Sequence, residues 1–119
     1  MNTQAVINPL STEYLQWLTN LSLYKNELKS LENSLSKLSI KISRKDLLAK
    51  VEQFQNRFIR QREVLDELRH EIKQYENHLE EGNLNEFELQ IEHYNLKEQF
   101  TRFYDLFIEL ERDFDEFLA

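Results

Sequence analysis

Leu21, Tyr24, Leu28, Leu31, Leu35, Leu38 and Ile42 follow one another at steps of three and four. The spacing returns in Leu47, Val51, Phe54, Phe58, Gln61, Leu65, Leu68, Ile72, Tyr75 and Leu79. It returns once more in Leu89, His93, Leu96, Phe100, Phe103, Phe107, Leu110, Phe114 and Phe117. Residues at these intervals share one face of an α-helix, whereas along a strand they would scatter to both sides of a sheet. Each run therefore predicts a long helix with one apolar stripe. A single glycine and a single proline leave too few chain breakers for a turn-rich β fold. The expected fold is all-α: an antiparallel, up-down-up three-helix bundle with coiled-coil-like heptad packing, in one domain over residues 1–119. The alternative is a long helical hairpin that dimerises into a larger bundle.

Punctuation in the sequence places the helices at about 9–42, 44–81 and 85–118. Asn8-Pro9 reads as a cap followed by a proline at the first helical position, where its missing N–H costs nothing. Ser11 is a second candidate cap. Glu81-Gly82-Asn83-Leu84-Asn85 reads as a corner. Gly82 can take the left-handed conformation that closes a helix, and Asn85 with Glu88 forms a capping box. Leu84 and Leu89 occupy the positions of a hydrophobic staple. Between Ile42 and Leu47 the rhythm skips by five, and Ser43 with Asp46 reads as a cap and its partner. The competing reading is one helix of about 70 residues with a stutter at 43–46.

The net charge of −7 is unevenly placed. Residues 1–62 hold ten Lys/Arg and five Asp/Glu, whereas residues 63–119 hold five and seventeen. In an up-down-up bundle the late acids Asp105, Glu109, Glu111, Asp113, Asp115 and Glu116 lie beside the basic residues from Lys37 to Arg62. The expectation is that they pair. The same basic cluster admits a phosphate-binding reading, but an acidic chain repels nucleic acid and anionic membranes. Neither is expected as a partner.

No residue pattern announces chemistry. There is no cysteine, which removes disulfides, zinc–thiolate sites and thiol nucleophiles together. No glycine-rich phosphate loop, nucleophile elbow or His-Glu-x-x-His occurs. Glu67 and His70 have the Glu-x-x-His spacing of di-iron bundles, but such a site needs two of these motifs and two further Glu. The stripe of Leu65, Leu68 and Ile72 also puts both on the outer face. His78 stands alone. His93, on the third stripe, reads as a partly buried polar spacer. Gln61, polar within the second stripe, either fixes register or reaches out to solvent. No catalytic residue, cofactor, metal or small-molecule substrate is expected.

The third helix carries the one anomaly. Its stripe runs through Phe100, Phe107 and Phe114, yet Leu84, Phe87, Ile91 and Tyr94 fall on nearly the opposite side. Its first turns are thus apolar on two faces. The cover for the second face is either the N-terminal segment with Val6, Ile7 and Leu10, or a protein partner or second copy of the chain. Leu84, Phe87, Ile91 and Tyr94 are the candidate partner-binding residues. The expected function is a non-enzymatic helical scaffold or adaptor, acting as a homodimer. The alternatives are a small acidic chaperone for one client and, below it, a metal-binding bundle. With no leader-like start and no apolar run of about 20 residues, the expected setting is cytoplasmic and soluble.

Overall fold

The computed structural model describes the backbone of residues 9–119 and the side chains from Thr12 onward. The expectations placed on Asn8 and Ser11 as caps, and on Val6, Ile7 and Leu10 as a cover, lie outside the described residues. Three helices follow in order: α1 (Pro9–Lys41), α2 (Lys45–Glu81) and α3 (Glu86–Leu118). The break after Lys41 is a true corner, which excludes one continuous helix through 43–46. α2 packs against both other helices, giving the expected three-helix bundle. It is a rod of 65 × 22 × 19 Å. Its radius of gyration is 18.5 Å, against about 13.5 Å for a compact globule of this length.

The second corner is built as its sequence implies. Gly82 adopts φ 66° and donates its N–H to the His78 carbonyl. The Asn85 side chain accepts from the Glu88 N–H at 2.8 Å, and the Glu88 carboxylate accepts from the Asn85 N–H at 3.0 Å. Two otherwise orphaned donors are thereby satisfied at the start of α3. The first corner corrects the expectation for Ser43. The N-cap of α2 is Arg44, and no side chain caps the helix. Asp46 instead pairs with the Arg44 guanidinium at 2.6 and 3.2 Å. An ion pair two residues long can form at this exposed bend without any helix donor, and it takes the carboxylate that a capping box needs.

All three stripes turn inward. Leu21, Leu28, Leu35, Phe58, Leu65, Leu68, Ile72, Tyr75, Phe103, Phe107 and Phe114 are almost fully buried. α1 and α3 approach each other mainly through rings. Tyr24 contacts Phe100, Phe103, Tyr104 and Phe107, the last at 5.0 Å between centroids. Phe114 sits edge-on to both Phe54 and Phe58 at 5.3 Å. Gln61 is buried and donates its amide to the Phe103 carbonyl at 3.0 Å, so it does not reach for solvent.

The expected charge ladder between late α3 and the first corner is sparse. Among the described residues its ion pair is Arg57–Asp113 at 2.9 Å. Other cations pair elsewhere: Arg62 with Glu32 of α1, Arg44 with Asp46, and Arg60 weakly with Glu63. Arg44–Asp46 and Arg60–Glu63 are exposed, and Arg57–Asp113 and Arg62–Glu32 are half-buried at the solvated edge of the bundle, so each contributes at most about 1 kcal/mol. Stability is therefore concentrated in the rings. Phe58→Ala is expected to lower unfolding free energy by about 3–5 kcal/mol. Ile40→Ala, at a site 84% exposed, should change it by under about 0.5 kcal/mol. Urea titration of the two variants checks the contrast.

Candidate partner-binding surface

The inward side of α3 at its start is set by Leu89, His93 and Leu96, which continue into Phe103 and Phe107. At 100° per residue, Phe87, Ile91 and Tyr94 then point directly away from α1 and α2. Their exposures are 70%, 47% and 59%. Leu84 is half-buried within the corner. Phe87, Ile91 and Tyr94 thus form one outward strip near the end of the rod, whereas Leu84 precedes α3 and does not share its helical face. The strip stops at Glu98, since the outer face of α3 continues through Thr101, Arg102, Asp105 and Glu109. Other exposed apolar side chains, such as Leu23, Ile40 and Leu106, were not anticipated. Single exposed residues of this kind are ordinary on a folded surface, whereas a contiguous strip is not.

Beneath the strip lies a polar network that joins all three helices. The sequence marked His93 as a spacer but gave no sign of its partners. His93 Nε2 lies 2.6 Å from Glu13 on α1, and its Nδ1 lies 3.1 Å from the Tyr75 hydroxyl on α2. The ring is sandwiched near Trp17, at 5.0 Å between centroids. Burial pushes the Tyr75 hydroxyl up to about 12, with Glu92 and Glu13 adding to the shift. Tyr75 therefore keeps its proton, and the His93 ring joins its hydroxyl on one side to the Glu13 carboxylate on the other. Around it, Tyr14 donates to Glu76 at 3.2 Å, and His78 lies 2.8 Å from Glu92.

A carboxylate, an imidazole and a hydroxyl in line resemble a nucleophile relay, but Tyr75 is 0% exposed. No substrate atom can reach its oxygen, so the arrangement acts as a clasp. Glu67 and His70 are both exposed. Among the described residues there is no group of three or more His, Cys, Asp or Glu able to hold a metal ion. No described helix is long and apolar enough to cross a membrane. A depression lined by Lys50, Phe54, Arg57, Asp113 and Phe117 is an open groove and not an enclosed cavity. Comparison with protein-family models, curated proteins and solved structures finds no match.

One further carboxyl departs from ordinary behaviour. Burial raises Glu111 above the usual carboxylate range, helped by the charge and hydrogen bond of Glu27 and by Asp115. In the folded chain Glu111 thus binds its proton at higher pH than it does unfolded. Above both values, the fold carries the cost of holding the ionised group. As pH falls through the folded value, the folded state takes up the proton first and stability rises. Glu111→Gln is expected to raise the thermal midpoint at pH 7 and to flatten this acid-side gain, as scanning calorimetry across pH 4–7 would read. The clasp gives a second expectation. Tyr75→Phe leaves Nδ1 of His93 unpaired at a site where the side chain is 12% exposed. The cost should be about 1–3 kcal/mol. Tyr14→Phe, whose partner Glu76 retains water, should cost less in the same denaturation assay.

Proposed function

We propose that this chain is a non-enzymatic helical scaffold or adaptor that holds another protein, or a second copy of itself, against the outer face of α3. The observation that carries this reading is the strip of Phe87, Ile91 and Tyr94, held outward at 70%, 47% and 59% exposure. A rigid apolar strip on a regular helix fits a partner helix, which can lay its own apolar face along it. The sealed state of Tyr75 supports the same reading, because the one relay-like constellation among the described residues is closed to substrate. The proposed setting is the cytoplasm, in keeping with a chain without cysteine.

The full-length chain and its Phe87→Glu/Ile91→Glu variant should separate the strip from the remaining surface. Both positions are exposed, so the variant should keep wild-type helicity by circular dichroism. Affinity capture from the native cell is expected to retain proteins with the wild type that the variant loses, including the chain itself. Identical retained sets from the two baits, with helicity intact, would remove the strip from any role in binding.

A further inference from the structure

Because the basic cluster pairs so little with late α3, the first corner is left as a basic tip. Phe117 packs on Phe54 at 5.2 Å between centroids. Nine residues separate Phe54 from Lys45, the first residue of α2, so the corner projects roughly 13 Å beyond that contact at 1.5 Å per residue. The projection is made of the end of α1, the corner and the start of α2. From Asn33 to Val51 the chain carries five Lys/Arg and one carboxylate, Asp46, which Arg44 already holds. Lys37, Lys41, Lys45 and Lys50 are exposed and, among the described residues, have no ion pair.

The outer face of α1 extends this surface. Its three acids turn to neighbouring helices: Glu13 to His93, Glu32 to Arg62 and Glu27 to Glu111. The side opposite Leu21, Leu28 and Leu35 therefore runs through Thr19, Asn26, Lys29, Asn33, Lys37 and Ile40 without a carboxylate. The outer faces of α2 and α3 differ, with exposed Glu52, Glu63 and Glu67 on one and Glu98, Asp105 and Glu109 on the other. Ile40 shares the last turn of α1 with Lys37 and Lys41 and is 84% exposed. A lone exposed isoleucine is ordinary. An isoleucine set among unpaired lysines at a projecting tip has the composition of an interfacial anchor, apolar at its centre and cationic around it.

We propose that the first corner is a foot that rests on an anionic phospholipid leaflet, with its lysines among the headgroups and Ile40 dipped into the interface. Three features favour this occupant. The tip is convex, which suits a broad deformable surface and not a partner helix that needs a groove. Its free cations are lysines, compact charges on flexible stems that follow mobile headgroups without a fixed geometry. Residues 33–51 include no aromatic side chain on which a base could stack, and their one arginine is tied to Asp46. The net charge of −7 does not decide against it, because charge acts over a Debye length of about 8 Å at physiological salt. Asp113, Asp115 and Glu116 stand behind the tip on α3, and Glu76, Glu80, Glu81, Glu86 and Glu88 gather at the other end of a 65 Å rod.

The test is flotation of the full chain with phosphatidylcholine vesicles, with and without phosphatidylserine. Binding should require phosphatidylserine and fall away as salt is raised from about 0.1 to about 1 M. Lys37→Gln/Lys41→Gln should weaken it roughly 25-fold, at about five-fold per lysine. Ile40→Ala should weaken it roughly five-fold. Lys97→Gln, far along the rod, should bind as wild type. All these positions are exposed, so circular dichroism of every variant should match the wild type. Failure to float with phosphatidylserine at low salt would overturn the foot, as would an equal loss in Lys97→Gln. Retention on RNA that needs Lys37 and Lys41, with vesicles left unbound, would overturn it in favour of nucleic acid. The Phe87→Glu/Ile91→Glu variant should float as the wild type does, so this result and the capture comparison stand or fall separately.

Discussion

The rotational setting of α3 governs the rest of the molecule, and the aromatic seam sets it. Phe103, Phe107 and Phe114 are almost fully buried, and Phe107 and Phe114 meet rings on α1 and α2 respectively. Turning α3 by half a turn would bury Phe87, Ile91 and Tyr94, but it would expose those three rings together with Leu96 and Leu110. Burial of each such side chain is worth about 1.5–3 kcal/mol, so five inward residues outweigh three. The outward strip is thus a consequence of a stronger demand elsewhere on the same helix. Three helices of this kind cannot hide both faces.

The rings also explain the cross-section. α2 lies close to both neighbours, whereas α1 and α3 stand further apart and are bridged by Tyr24 and Trp17. Leucine at these two positions would leave the gap unfilled. At the pole this spacing leaves room for an imidazole, and His93 fills it with Trp17 against its face. A buried polar group costs free energy unless its bonds are complete. The Tyr75 hydroxyl and the Glu13 carboxylate complete them from two different helices. The clasp thereby ties α1, α2 and α3 at the end where the strip emerges, and holds the first turns of α3 rigid beneath it.

Most of this architecture was legible because helical periodicity is local. The three stripes named the core, and Gly82, Asn85 and Glu88 named the second corner, since a left-handed residue and a capping box are both determined within a few residues. The outward placement of Phe87, Ile91 and Tyr94 followed from the same 100° arithmetic. What escaped were contacts between distant segments. Glu13 and His93 are 80 residues apart, and nothing in either neighbourhood names the other. The first corner escaped for a different reason. Ser43 and Arg44 both offer side chains at an exposed bend, and the competition between a cap and an ion pair is decided by a fraction of a kcal/mol.

Gln61 bears on how the helices find their register, a task for which surface charge is too weak. Arg57–Asp113 is one half-buried pair between α2 and late α3, still open enough to water to be screened by salt. The Gln61 amide reaches the Phe103 carbonyl, an acceptor that already serves the α3 helix ladder. A slip of α2 along α3 by one turn would strand that amide in the core, where an unpaired polar group costs about 1–3 kcal/mol. Bulky rings penalise the same slip by opening voids. Register is therefore held inside the bundle, by one polar contact and by shape. The surface charges are left free of that duty, and their uneven distribution bears on what approaches the rod from outside.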